Sequence, residues 1–327
     1  MGEAGDKAFF QPLSGMEVPR FAAPATFMRL PHVPLDHARI GEVEIGIVGI
    51  PWDGGTTNRA GARHGPRQMR DMSSMIRRMH PVTRRVPFDA ANVADLGDVS
   101  VNPAGLEDTL GRVEGFYRRL AELGIAPLTA GGDHLTTLPV LRGIARRQPV
   151  GSIHFDSHTD LNDSYFGGCK FTHGTPFRRA VEEGLIDPRR MVQIGIRGTM
   201  YDGEDYEFAR SVGARLIPIE EFRERGLAAV MAEARQIVGA APTYVTFDID
   251  FIDPAYAPGT GTPEIGGPTS YEAQACLRAL DGLDVIGADV VEVSPPFDPS
   301  GNTAFLGVSM MFELLCVMTG ALERSRG

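Results

Sequence analysis

Short apolar runs rich in β-branched residues alternate with stretches of helical period along almost the whole chain, and this alternation limits the fold more than any other feature. The strand candidates are Ile45–Ile50, Asn92–Leu96, Ala126–Ala130, Gly151–Phe155, Met191–Ile196, Arg215–Pro218, Thr243–Phe247 and Val285–Val291. Between them lie helical patterns such as Leu106–Leu123, Leu135–Arg147, Thr175–Glu183 and Ser270–Leu280, and Thr303–Arg324 reads as a long closing helix. Strand runs that are mainly apolar, without strict alternation, belong to a sheet buried on both faces, and β and α in alternation make that sheet parallel. The expectation is a three-layer α/β protein: an open, mainly parallel, eight-stranded sheet with helices on both sides. No repeat, Ser/Gly linker or low-complexity tract divides it. Residues 41–327 therefore read as one domain and residues 1–40 as an irregular N-terminal arm.

Eight strands also permit a closed barrel. The polar residues that look chemical follow the third, fourth, seventh and eighth strands. In a barrel these pairs would face each other across the mouth. In an open sheet whose order reverses, all four can be neighbours at one switch point, where ligands usually bind. The open sheet is favoured.

Lys plus Arg number 32 and Asp plus Glu 42, a net charge of −10. That balance argues against nucleic acid and anionic membranes and favours a cationic ligand. The only lysines are Lys7 and Lys170 and no GxxxxGK[ST] string occurs, so a phosphate loop is excluded. No apolar run reaches the roughly 18 residues of a membrane span. No secretory signal is visible at the N-terminus, and three cysteines without a CxxC pair fit a reducing, cytoplasmic setting.

Three strings carry the chemistry: Gly131-Gly132-Asp133-His134, Asp156-Ser157-His158-Thr159-Asp160 and Asp248-Ile249-Asp250. Each directly follows a strand candidate. Spacing of i, i+2, i+4 in extended chain puts Asp156, His158 and Asp160 on one side, and Asp248 and Asp250 likewise. Alone, each string could be a solvated turn or, for Asp133, a helix cap. Together they bring four carboxylates and two imidazoles to one sheet edge, and such carboxylates cannot share a crevice without cations. Two divalent ions would balance them. Carboxylate and imidazole donors without thiolate suit Mn²⁺ first, with Ni²⁺, Co²⁺ or Fe²⁺ as alternatives. A pair of ions roughly 3.5–4 Å apart would lower the pKa of a bridging water and give a hydroxide nucleophile at neutral pH.

These strings, with Phe247-Asp248-Ile249-Asp250-Phe251-Ile252-Asp253-Pro254, Ala257-Pro258-Gly259-Thr260-Gly261-Thr262-Pro263-Glu264 and Val291-Glu292-Val293-Ser294-Pro295-Pro296, resemble the signatures of the ureohydrolase family, that of arginase, agmatinase and guanidino-acid hydrolases. The resemblance extends from about Pro19 to the last helix. It implies an arginase-type fold, two Mn²⁺ ions, cleavage of a guanidine to urea and an amine, and a homo-oligomer, trimer or hexamer. It further implies that His134, Asp156, Asp160 and Asp248 hold one ion, and that Asp156, His158, Asp248 and Asp250 hold the other. His173 matches the family's proton-shuttling histidine, and Glu292 the carboxylate that pairs with the substrate guanidinium; with Asp160 they form the expected catalytic set. Ser157 stands where the family has Ala, and Leu135 where many members have Ser; neither replaces a ligand.

Pro51–Arg59 and Asn162–Gly167 resemble the branch acting on 3-guanidinopropionate, whose hydrolysis would give urea and β-alanine. A bulky Tyr165 would shorten the pocket and could bind a carboxylate, Asn162 beside it is a further substrate-binding candidate, and the Asn58-Arg59 loop is next in line. Guanidinobutyrate, agmatine and unusual guanidines are the alternatives. His154, mid-strand, reads as a core histidine, and Cys169 as an inert loop thiol. A two-metal phosphoesterase would need further histidines on the late loops, where this chain has a D-x-D and Glu292, and an acid beside a phosphate is electrostatically wrong. A silent subunit of a mixed oligomer should have lost ligands, and this chain keeps all six.

Overall fold

The structure, a computed structural model, describes residues 8–145 and 148–326; the last two residues of the expected Leu135–Arg147 helix and Lys7 lie outside that range. Eight strands form one sheet: β1 (Ile45–Gly49), β2 (Val93–Asp98), β3 (Ala126–Ala130), β4 (Val150–Phe155), β5 (Ile186–Ile196), β6 (Arg215–Pro218), β7 (Thr243–Asp248) and β8 (Val285–Val291). Their order is β2-β1-β3-β8-β7-β4-β5-β6, and every neighbouring pair is parallel. The expected open sheet is the one found. After β3 the chain crosses to β4, works outward to β6, and then returns to fill the gap with β7 and β8. This late return makes β3, β8, β7 and β4 the four central neighbours, with their carboxyl ends side by side.

Both faces are covered. Ile45 and Ile47 of β1 join one core, packed with helices Leu227–Val238, Ser270–Arg278 and Asn302–Arg326. Val48 and the following Ile50 join a second core with helices Leu106–Leu123, Thr137–Ile144 and Pro176–Glu182. Helix Leu106–Leu123 ends at Gly124 in the left-handed region, φ 73°, where a Cβ would add strain. β5 starts well before Met191. The segment Asp187-Pro188-Arg189-Arg190 carries a proline and three charges, and this hides the strand from a reading by apolar runs.

The closing helix Asn302–Arg326 differs from the sequence expectation about membrane spans, because it is long and apolar enough to cross one by length and composition. Yet 78% of its most apolar window is buried inside the protein. Glu313 in its middle pairs with Arg278 at 2.8 Å, and its other oxygen lies 3.1 Å from His80 Nε2, so the helix packs as a core element with its buried acid paired to a guanidinium.

Residues 8–40 carry little regular structure, with a 3₁₀ turn at Phe27–Arg29 and buried Phe10, Phe27, Leu30 and Val33. The Pro31–Val33 stretch adds to the edge of β2: Asp95 N–H donates to the Pro31 carbonyl at 3.0 Å, and Val33 N–H to the Asp95 carbonyl at 2.8 Å. An otherwise unpaired sheet edge is thereby covered.

Candidate active site

Each chemical string leaves the carboxyl end of a central strand. Gly131–His134 follows β3, Asp156–Asp160 follows β4, Asp248 ends β7 with Asp250 in the turn beyond it, and Glu292 follows β8. Gly132 is required by a close approach: a Cβ there would lie 1.6 Å from the Trp52 carbonyl oxygen. Only a glycine lets the β3 loop press against the Trp52–Gly61 loop, with the Asp133 N–H donating to that same carbonyl at 2.9 Å.

The first cluster is centred on His134 Nδ1. It lies 3.0 Å from Asp156 Oδ2, 3.0 Å from Asp160 Oδ2 and 3.2 Å from Asp248 Oδ2. Nε2 of the same ring faces the Thr246 hydroxyl at 2.9 Å. With the proton on Nε2, the Nδ1 lone pair points into the three carboxylates; Nδ1 is buried and makes no hydrogen bond. An acceptor nitrogen aimed at three anionic oxygens is repulsive unless a cation sits among them. The donor set therefore fits a divalent metal ion.

The second cluster joins Asp156, His158 and Asp250. His158 Nδ1 is 3.1 Å from Asp250 Oδ2 and 3.5 Å from Asp156 Oδ1. Asp156 spans both clusters, one oxygen in each. Asp248 Oδ1 accepts from the Asp250 N–H at 2.8 Å while Oδ2 faces His134. Ser157, the departure from the family pattern, donates its hydroxyl to Asp250 Oδ1 at 2.6 Å, as does its backbone N–H at 3.1 Å. It thus braces a predicted ligand rather than replacing one.

Crowded buried acids repel one another's charge. Burial first, then the charges of Asp250 and Asp156, hold the Asp248 carboxyl well above its usual range. Burial and the Asp156 charge raise Asp160 as well. Burial opposes charge on His134, yet its three carboxylate neighbours outweigh that and raise its pKa. Without cations, protons must take their place, which is the electrostatic signature of a site shaped for positive charge.

Glu292 and His173 adjoin the first cluster. Glu292 Oε1 accepts from the His134 backbone N–H at 2.9 Å and faces His173 Nδ1 at 2.9 Å. Its Oε2 makes no hydrogen bond among the described residues, so one oxygen, rather than a full bidentate pair, is free for a ligand. His173 Nε2 meets the Thr57 hydroxyl at 2.9 Å and the Thr57 N–H at 3.2 Å. Asp160 and Glu292 are both non-glycine residues in the left-handed region, φ 52° and 62°. Each such conformation costs about 1–3 kcal/mol, and this strain is placed where the side chains must converge.

The clusters open into a cavity of about 480 Å³ lined by Thr57, His158, Asp160, Tyr165, His173 and Glu292, among others. The Tyr165 ring packs over Gly174, where a Cβ would come within 2.5 Å of its hydroxyl. Burial and the charge of Asp160 raise the Tyr165 pKa, so the phenol keeps its proton. Asn162 also lines the cavity, but its amide nitrogen is engaged with the Tyr165 hydroxyl at 3.1 Å and the Gly174 carbonyl at 3.4 Å. Cys169 is exposed.

His154 does more than fill the core. It is fully buried, as expected, yet its Nε2 lies 2.6 Å from Asp156 Oδ2. The i, i+2 spacing along β4 put the two side chains on one face, and that was the signal available for it. Gln193 on β5 and Thr57 in the Trp52–Gly61 loop also enter the site. The resemblance over Pro51–Arg59 marked the loop that holds Thr57 without giving that residue a role, and nothing in the sequence marked Gln193.

Residues 43–317 match the arginase family. Guanidinopropionase of Pseudomonas aeruginosa is 59% identical over 315 residues, covering 96% of this chain and 98% of that protein. Guanidinobutyrase of the same organism is 50% identical, covering 98% of this chain and 100% of that protein. The solved structure of proclavaminate amidino hydrolase from Streptomyces clavuligerus superposes with a TM-score of 0.87 at 40% identity, over 93% of this chain and 99% of that one. A match over most of the length, with relatives this similar from end to end, makes the conclusion plain: this chain belongs to the arginase family.

Proposed function

We propose that this protein hydrolyses the guanidino group of a short linear guanidino acid, 3-guanidinopropionate first among them, to urea and the amine, here β-alanine. The observation that carries the proposal is the convergence of His134 and three carboxylates beside the Glu292–His173 pair at the floor of one cavity. In this reading His134, Asp156, Asp160 and Asp248 would hold one ion, and Asp156, His158, Asp248 and Asp250 would hold the other. Mn²⁺ suits these donors best, with Ni²⁺ or Co²⁺ able to substitute. Such ions supply positive charge and a water acidic enough to act as nucleophile near neutral pH.

The chain's own residues do the rest. Glu292 Oε2 accepts N–H groups of the planar guanidinium and orients its carbon. Water adds to that carbon and gives one proton to the Asp160 carboxylate; the bond to the tail nitrogen then breaks, its electron pair and the remaining hydroxyl proton passing to that nitrogen as the urea carbonyl forms. His173 delivers the proton that the leaving amine needs. The Tyr165 hydroxyl accepts from Asn162 and keeps its own proton to donate to a carboxylate tail, while its ring limits tail length. The likeness to a guanidinopropionase supports the same choice. One observation favours agmatine as a second reading: Asp202, Asp205 and Glu264 also line the cavity and would suit an ammonium tail. The catalytic unit is residues 41–327 with residues 1–40 as an arm, working in the cytoplasm as a trimer or hexamer.

Urea release from 3-guanidinopropionate, 4-guanidinobutyrate, agmatine and neutral propylguanidine, each with Mn²⁺ and then Ni²⁺, tests the proposal. The shortest acid is expected to give the highest kcat/KM, and a preference for agmatine would overturn the substrate assignment. Tyr165→Met should then shift the ratio of kcat/KM toward 4-guanidinobutyrate by roughly 10- to 200-fold, the worth of one methylene in an apolar pocket. An equal loss for both acids would leave Tyr165 with a packing role only.

A further inference from the structure

We infer that His154 is a positioning residue: locked by Gln193 as a hydrogen-bond donor, it fixes the Asp156 carboxylate that the two clusters share. The inference rests on the metal reading above. By distance alone His154 could itself be a ligand, since ligand atoms of His134, His154, Asp156 and Asp160 all lie within 4.8 Å of one another. The contacts on its other side decide otherwise.

Gln193 Nε2 is 2.6 Å from the Thr159 carbonyl and 2.6 Å from His154 Nδ1. A carbonyl only accepts, so the Gln193 atom facing it must be the amide nitrogen; an oxygen there would repel it. The same nitrogen's second hydrogen then points to His154 Nδ1, which must accept. The ring proton is left on Nε2, 2.6 Å from Asp156 Oδ2. A nitrogen carrying a proton has no lone pair to give a metal, so Asp248 completes the first cluster instead. The Asp156 carboxylate is held from both ends, because the His158 N–H donates to Oδ1 at 2.6 Å. All three side chains, Gln193, His154 and Asp156, are fully buried. A carboxylate with one oxygen in each of two clusters would gain, as a shared ligand, from having its plane fixed.

The ring of His154 also packs on Phe177 with centroids 4.1 Å apart, so a purely structural role is the competing explanation. Two substitutions separate them. His154→Phe keeps a ring for Phe177 and removes the donor. His154→Gln gives up the ring and puts an amide nitrogen near the place of Nε2. The readouts are Mn²⁺ stoichiometry and affinity of the full-length protein by chelator competition, with thermal unfolding of the metal-free proteins alongside. His154→Phe should weaken Mn²⁺ binding by about 10- to 100-fold with the metal-free melting point nearly unchanged, whereas His154→Gln should stay within a few-fold of wild type. The reverse order, or wild-type affinity in His154→Phe, overturns the inference. Should His154→Phe fail to fold, a tenfold loss of affinity in a folded His154→Gln protein overturns it equally. Wild-type protein that binds no Mn²⁺ would instead refute the metal reading itself.

Discussion

An Asp250→Asn protein is expected to stay folded, lose at least one divalent ion and lose most of its turnover. The geometry explains why so small a change should be so costly. Asp250 Oδ1 accepts from the Ser157 N–H and the Ser157 hydroxyl, at 3.1 and 2.6 Å. An asparagine would keep its carbonyl oxygen there, since the alternative sets an NH₂ group against two donors. Its NH₂ must then occupy the place of Oδ2, 3.1 Å from His158 Nδ1, and present hydrogens where a lone pair is needed. The contacts that support the fold survive, and the donor is replaced by a group that repels a cation. The loss of activity should exceed the roughly 10- to 100-fold that follows from disturbing a supporting hydrogen bond at a metal site. Elemental analysis after gel filtration, paired with urea release, provides the check. Unchanged occupancy with full activity would remove Asp250 from the ligand set.

The fold was legible because its elements are short and locally consistent. A run such as Val285–Val291, apolar but for Asp289, reads as a buried strand, and Glu292 directly after it marks its carboxyl end. What the sequence does not contain is the pairing order. β8 sits between β3 and β7 because of hydrophobic packing between segments far apart in the chain. The preference for an open sheet came from the chemistry of the strings, since only neighbouring strands could bring them together. Contacts that run sideways were invisible for the same reason. Thr57 reaches His173 from a loop marked only as a whole, by the Pro51–Arg59 resemblance, and Gln193 reaches His154 from the next strand as an ordinary polar residue. The Asn162 amide looked ready for a substrate. Its commitment to Tyr165 depends on a turn closed by the Tyr165–Cys169 bridge, which composition does not reveal.

His173→Ala should reduce kcat by about 10²- to 10⁴-fold, the usual contribution of a positioned proton donor, while leaving metal content unchanged. The contrast with Asp250 is the point of the experiment, because His173 touches Glu292 and Thr57 and lies in neither metal cluster. Burial alone would lower its pKa, but the charge of Glu292 and the hydrogen bond to it outweigh burial and push it up to about 9. At neutral pH the ring is therefore protonated and able to give a proton to the departing amine. Thr57 keeps that proton transferable. Its hydroxyl can accept from Nε2–H or donate to the bare nitrogen, and its backbone N–H favours the bare form. The sign of the pH dependence follows. If the protonated ring is the acid, kcat falls as pH rises through about 9, because the neutral ring has no proton to spare. That alkaline limb should vanish in His173→Ala, and small amines added to the medium should restore part of the rate by supplying the proton from solution. Loss of metal in place of this pattern would make His173 a ligand. An alkaline limb that persists in the variant would belong to another group, and the proton for the leaving amine would then have to come from elsewhere in the cavity.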